Sequence, residues 1–235
     1  MSHAPDGAGS FFGRRKGKSL RDAQAERLER LLPALRLPDL RGGDAPASPG
    51  DLATLFPNRP GSIWLEIGFG GGEHLAHQAA LHPEIGFIGI EPFVNGVVKL
   101  LAAVEERGLG NVRISQDDAA TMLPSLPAAS IDRVYLLYPD PWPKRRQRKR
   151  RFLSDRSLRD LARVLRPGGE LRFATDIDDY AGWALVRVGR SAEFTWSPTG
   201  PDEWRRPWAD WPGTRYEAKA RREGRGSAYL RLRRS

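Results

Sequence analysis

The sequence predicts an α/β fold: a mostly parallel sheet of about seven strands with helices on both faces. Two observations carry that prediction. From Ile63 onward, short apolar runs alternate with longer stretches of helical periodicity. The chain has 235 residues, 40% of them apolar, which is enough to bury one substantial core. The expected organisation is a single domain over residues 61–235 behind a flexible basic lead-in over residues 1–60.

Ile63–Ile67 reads as a buried strand, residues 68–72 as a glycine loop and Glu73–Leu81 as a helix; residues 85–90 and 93–107 repeat the unit. Val112–Ser115 is a third strand and residues 131–138 a fourth. Residues 152–165 read as a helix stopped by Pro167-Gly168-Gly169, residues 170–175 as a fifth strand and residues 180–189 as a helix. Residues 194–197 and 228–233 read as two last strands with no long helix between them, a hairpin finishing the sheet. Ahead of Ile63 the signals are poorer. Residues 20–32 have apolar positions at helical spacing, but Pro33, Pro38 and RGGDAPASPG argue for low order, and residues 1–20 read as a basic arm rather than a transit segment.

The formal net charge is +9, and most of the surplus sits in one block: Lys144, Arg145, Arg146, Arg148, Lys149, Arg150 and Arg151. Charge so concentrated, directly after a Pro-Asp-Pro-Trp-Pro loop, points to a nucleic acid. There is no cysteine, so disulfides, thiolate metal ligands and a thiolate nucleophile are excluded, and a cytoplasmic setting is expected. No apolar run approaches the roughly 18 residues that span a bilayer. His74 and His77 lie one turn apart beside Glu73, but no motif ties a further ligand to them, so no metal is expected.

Ligands of such sheets lie beyond the carboxyl ends of the strands. There the first strand gives Glu66 and a turn whose Gly68 and Gly70 let backbone approach a ligand. The sixth position of a dinucleotide fingerprint is Glu73, so a cationic ligand suits the loop better than a second phosphate. Glu91 can accept both hydroxyls of a ribose, Asp118 an exocyclic adenine amine, and Asp140 ends the fourth strand. Each acid singly reads as a cap; four at successive strand ends match S-adenosyl-L-methionine, with its ribose, adenine, ammonium and sulfonium.

Pro139, Pro141 and Pro143 stiffen the Asp140 loop, and Trp142 offers a flat surface for a base. If the acceptor is a ring nitrogen with a free lone pair, such as N7 of guanine, no general base is required, and Asp140 can orient the base and balance its developing charge. Lys144 is the cation nearest that acid. Asp176 reads as a base ligand or as a helix cap. Trp204, Trp208 and Trp211, near Thr214-Arg215-Tyr216-Glu217, suit either base stacking or packing over the sheet.

LEIGFGGGEHL, the Pro-Asp-Pro-Trp-Pro-Lys loop with its basic tail, and Thr214-Arg215-Tyr216-Glu217 together resemble the bacterial tRNA (guanine-N7-)-methyltransferases, of the Rossmann-like methyltransferase class; the match runs from about Ile63 to the last residue. The resemblance implies that Glu66, Glu91, Asp118 and Asp140 bind S-adenosylmethionine, with Asp140 the active-site acid. It implies that Lys144, Asp176, Thr214, Arg215, Tyr216 and Glu217 contact the substrate, that Arg146, Gln147, Arg148, Lys149, Arg150 and Arg151 hold RNA, and that a guanine in the variable loop of tRNA is methylated. Gln147 departs from the family, which carries His there. Two other readings share the fold: transfer to an exocyclic amine, since the Asp140 loop echoes the Asp-Pro-Pro-Tyr loops of amino methyltransferases, and a noncatalytic RNA-binding module. Monomer and homodimer are equally compatible with the sequence.

Overall fold

The computed structural model describes residue 13 and residues 15–40 and 46–235. Its centre is a seven-stranded sheet, built from β1 (Ile63–Ile67), β2 (Gly86–Ile90), β3 (Val112–Ser115), β4 (Ile131–Leu137), β5 (Leu165–Thr175), β6 (Phe194–Thr195) and β7 (Ala228–Arg234), in the order β3-β2-β1-β4-β5-β7-β6. β1 to β5 pair in parallel, and β7 runs antiparallel to both β5 and β6. The chain works outward from β1 to β3 and returns to β4, so a crevice opens between β1 and β4, where ligands of open α/β sheets bind.

Burial on both faces explains why these strands read as continuous apolar runs. Along β1, Ile63, Leu65 and Ile67 enter one core cluster with Ile88, Leu136 and Phe173, while Trp64 enters another with Phe87, Tyr135 and Tyr229. Helices α3 (Glu73–Leu81), α4 (Val94–Arg107), α6 (Asp155–Val164) and α7 (Asp178–Arg190) connect the strands; α5 (Ala119–Met122) and α8 (Asp202–Arg205) are single turns, and α9 (Arg215–Arg222) precedes β7. β5 starts earlier than the sequence predicts, because Leu165 pairs with Ile131 across an irregularity filled by Pro167-Gly168-Gly169. The closing antiparallel pair is present, but its connection spans residues 196–227.

The low order expected of residues 1–60 does not describe most of that stretch. α1 (Asp22–Leu35) sets Leu28, Leu31, Leu32 and Leu35 against the second cluster, and Arg27 pairs with Glu105 of α4 at 2.8 Å. Pro33 lies inside α1, two residues from its end, so the helix loses the bond to the Glu29 carbonyl and closes within the next turn. Leu37 donates its N–H to the Ile114 carbonyl at 2.8 Å, and α2 (Pro49–Thr54) buries Leu52 completely. Further upstream, Gly17 donates its N–H to Asn95 Oδ1 at 2.8 Å, and Asn95 Nδ2 donates to the Lys18 carbonyl at 2.8 Å. The remainder of the expected arm, residues 1–12 and 14, lies outside the described residues.

Candidate active site

A cleft of about 660 Å³ lies at the carboxyl ends of the parallel strands. The β1 turn contributes Gly68 and Gly70, both with positive φ (71° and 57°), as their lack of a side chain permits. Nothing lies within 4 Å of where a Gly68 Cβ would stand, so ligand can approach that backbone. Glu91, just past β2, holds the turn in shape: its carboxylate accepts from Gly70 N at 2.7 Å and from Phe93 N at 3.0 Å. Burial raises the pKa of Glu91 above the ordinary glutamate value, against the lowering by those two N–H groups.

Gly96 is a contributor the sequence reading missed. A Cβ there would lie 2.1 Å from the Gly70 carbonyl oxygen, so the first turn of α4 touches the glycine loop backbone to backbone. A glycine one turn into a predicted helix was the available signal.

Asp118 follows β3 and lines the cleft. It is also the N-cap of α5, accepting from Ala120 N at 3.0 Å, so the capping and ligand readings both fit it. Asp140 lines the cleft and is exposed. It stands between Tyr138 and Trp142, which both adopt left-handed backbone (φ 49° and 42°), a conformation bulky residues hold only when their surroundings impose it. The Trp142 ring carries the Arg150 guanidinium 5.0 Å from its centroid.

Glu66 departs from its expected place. It shares the Trp64 side of β1, opposite Ile67, which lines the cleft; its buried carboxylate meets His74 Nδ1 at 2.7 Å and is not part of the cleft wall. Glu91, Asp118 and Asp140 are brought together; Glu66 instead ties β1 to α3 through His74. Its bond also occupies one nitrogen of His74, and among the described residues no group of His, Cys, Asp and Glu is arranged to hold a metal ion.

The basic block forms a 3-10 helix, Arg145–Arg150. Lys144 to Arg146 are exposed, and Lys149 and Arg150 line the cleft. Arg151 borders the cleft as well, but it is 2% exposed and its guanidinium is held inside the fold. Nε donates to the Pro141 carbonyl at 2.7 Å, Nη2 meets Asp179 at 2.5 Å, and the group lies 4.8 Å from the Tyr180 centroid and 5.1 Å from that of Trp183. Arg148 pairs with the same Asp179 at 2.8 Å. Arg151 therefore braces the Asp140 loop from behind.

Of the later expected residues, Arg215 and Tyr216 line the cleft. A Cβ on Gly70 would stand 2.9 Å from Arg215 Nη2 and 3.5 Å from the Tyr216 hydroxyl, so both reach over the glycine loop. Thr214 and Glu217 are internal supports. Thr214 caps α9 by accepting from Glu217 N at 3.1 Å; Glu217, 3% exposed, accepts from Trp211 Nε1 at 2.6 Å and from the Tyr229 hydroxyl at 2.7 Å. The Thr-x-x-Glu spacing was the signal for α9, whose polar sequence has no apolar stripe. Asp176 does not line the cleft and does not cap α7; it accepts from Arg225 Nε at 2.9 Å and Nη2 at 2.7 Å. Trp208 and Trp211 pack edge to face with each other and with Tyr229, which resolves their role as packing.

The donor set fits the expected cofactor. Glu91 and Asp118 offer carboxylates for hydroxyl and amine donors, the backbone at Gly68 is open, and Arg215 stands over the loop where a ligand carboxylate would come. No helix among the described residues is long and apolar enough to cross a membrane. The profile of a protein family described as a putative methyltransferase matches residues 60–230. A protein of Agrobacterium fabrum named tRNA (guanine-N(7)-)-methyltransferase is 57% identical over 221 residues, covering 94% of this chain and 93% of its own. One of the same name from Rhizobium meliloti is 56% identical over 226 residues, covering 96% and 95%. Among solved structures, the antibiotic-resistance methyltransferase Kmr is similar in fold, with a TM-score of 0.51 at 19% identity over 80% of this chain and 94% of that one.

Proposed function

Since the chain belongs to the tRNA (guanine-N(7)-)-methyltransferase family, we propose that its cleft transfers a methyl group from S-adenosylmethionine to N7 of a guanine in the variable loop of tRNA. The observation that carries this reading is the meeting of Glu91, Asp118 and Asp140 in one cleft whose rim bears Lys149 and Arg150. The cofactor, when bound, supplies a methyl group on a sulfonium: the carbon–sulfur bond breaks as the N7–carbon bond forms, and the positive charge passes to the purine.

The chain's own residues have to align two partners and balance a charge, because the N7 lone pair attacks without losing a proton. Glu91 accepts the ribose hydroxyls and Asp118 the adenine amine, while Gly68 and Gly70 let backbone come close. Asp140, on a loop braced by Arg151, faces the acceptor and stabilises the cationic purine. Lys144 to Arg150 meet phosphates of the folded RNA, binding it in a salt-dependent way. A tRNA substrate supports a cytoplasmic setting.

The test is tritium transfer from labelled S-adenosylmethionine to unmodified tRNA, followed by borohydride and aniline. Cleavage at the variable-loop guanine is expected, since only an N7-methylated guanine is sensitive. Label without cleavage would move the acceptor to an exocyclic amine; label kept on tRNA lacking that guanine would refute the position.

A further inference from the structure

Resting on that reading, we propose that Tyr138 and Tyr216 form a slot that takes the acceptor guanine between their ring faces. The two rings are nearly parallel, 20° apart, with centroids 6.4 Å from each other. Rings in direct stacking contact sit about 3.5 to 4 Å apart, and one planar base between two rings needs about 7 Å. The centroid distance, an upper bound on the face-to-face gap, is about 0.6 Å or more short of that, so the exposed Tyr216 ring has to swing outward to admit a base. Both rings line the cleft, and Tyr216 is 45% exposed, high for so large a side chain.

The spacing is set from within the protein. The Tyr138 hydroxyl donates to Ser227 Oγ at 3.0 Å and lies 3.5 Å from the Tyr229 hydroxyl. Tyr229 in turn donates to Glu217, the residue next to Tyr216, at 2.7 Å. Both walls are therefore referenced to one buried carboxylate. Tyr138 also keeps its left-handed backbone through an N–H bond to the Ala174 carbonyl at 2.8 Å, a strained setting of the kind found where a side chain must be aimed.

Position and charge select the acceptor over the cofactor's own adenine. Glu91 and Asp118 follow β2 and β3, on one side of β1, whereas Tyr138 ends β4 on the other side, two residues before Asp140. Methylation at N7 leaves the purine cationic, and the electron-rich face of a tyrosine attracts a cation. Burial pushes the Tyr138 hydroxyl well above the usual tyrosine range, so that ring stays neutral at any working pH.

The experiment compares wild type, Tyr216→Leu and Tyr216→Phe by kcat/KM for unmodified tRNA, cofactor affinity by calorimetry, and thermal unfolding. Tyr216→Leu should lose about ten- to a hundredfold in kcat/KM for tRNA. Its cofactor affinity should stay within about threefold of wild type, and Tyr216→Phe should recover most of the lost activity by restoring the ring. The slot is overturned if Tyr216→Leu loses less than threefold, if its loss appears as weaker cofactor binding, or if the Phe variant recovers nothing. Tyr138→Leu repeats the test on the other wall with the same expected and overturning results. A wild-type chain that leaves N7 unmethylated would sink the proposed function itself, a result distinguishable from failure of the slot in an active enzyme.

Discussion

Arg151→Ala separates a fold-bracing cation from an RNA-binding one. Truncation leaves the Pro141 carbonyl without its 2.7 Å donor, at a cost of about 1–2 kcal/mol. It removes the cation from the faces of Tyr180 and Trp183, about 1 kcal/mol more. Asp179 is 45% exposed and keeps Arg148, so the lost ion pair adds no more than about 0.5 kcal/mol. The sum is about 3 kcal/mol, or a fall in Tm of about 6–12 °C for a chain of this size. Thermal unfolding should register that fall, while the log–log salt slope of tRNA binding stays at the wild-type value. The Arg151 guanidinium holds the Asp179 carboxyl below its ordinary pKa, so this part of the stabilisation is complete above the unfolded value and fades as pH drops through the folded one. The Tm gap between wild type and variant should therefore narrow slightly below about pH 4. A variant with wild-type Tm and a slope shallower by about one would mean that Arg151 grips phosphate after all.

Other perturbations have distinct expected outcomes. Asp140→Ala should lower kcat by about 10²–10³ while leaving salt-sensitive tRNA binding in place; full turnover would remove Asp140 from the mechanism. Glu91 must be ionised to accept two hydroxyls, and its pKa is raised, so cofactor affinity measured by calorimetry should fall on acidification earlier than for an ordinary glutamate, and Glu91→Gln should flatten that profile. Gly96→Ala sets a methyl 2.1 Å from the Gly70 carbonyl, which should cost about 1–3 kcal/mol in urea unfolding and weaken cofactor binding; unchanged values would mean the loop and α4 separate freely.

The alternation of strands and helices was legible because strands buried on both faces leave unbroken apolar runs, and most helix ends carried Gly, Pro or a capping side chain. What escaped was whatever depended on which way a side chain points. Glu66 and Ile67 are neighbours in sequence, yet one faces His74 and the other the cleft. Arg151 is chemically identical to Arg150, and partners distant in sequence, Asp179, Tyr180 and Trp183, together with the Pro141 carbonyl, decide that it is interior. Glu217 was expected to contact substrate on the strength of the family resemblance, and the tertiary fold makes it the acceptor for Trp211 and Tyr229. Residues 22–40 and 46–60 were undervalued because their prolines obscured helices whose stability comes from docking against α4 and the sheet.

The strand order also bears on how the chain is made. β7 is translated after both strands it separates, so a nascent chain exposes the unpaired edge of β5 until residues 228–234 emerge. The segment that carries Arg215 and Tyr216 is anchored at one end by that same strand. A polypeptide cut short before Ala228 would thus lack both the last pairing of β5 and the anchor of the segment over the glycine turn, which makes competence for methyl transfer depend on β7 having been made.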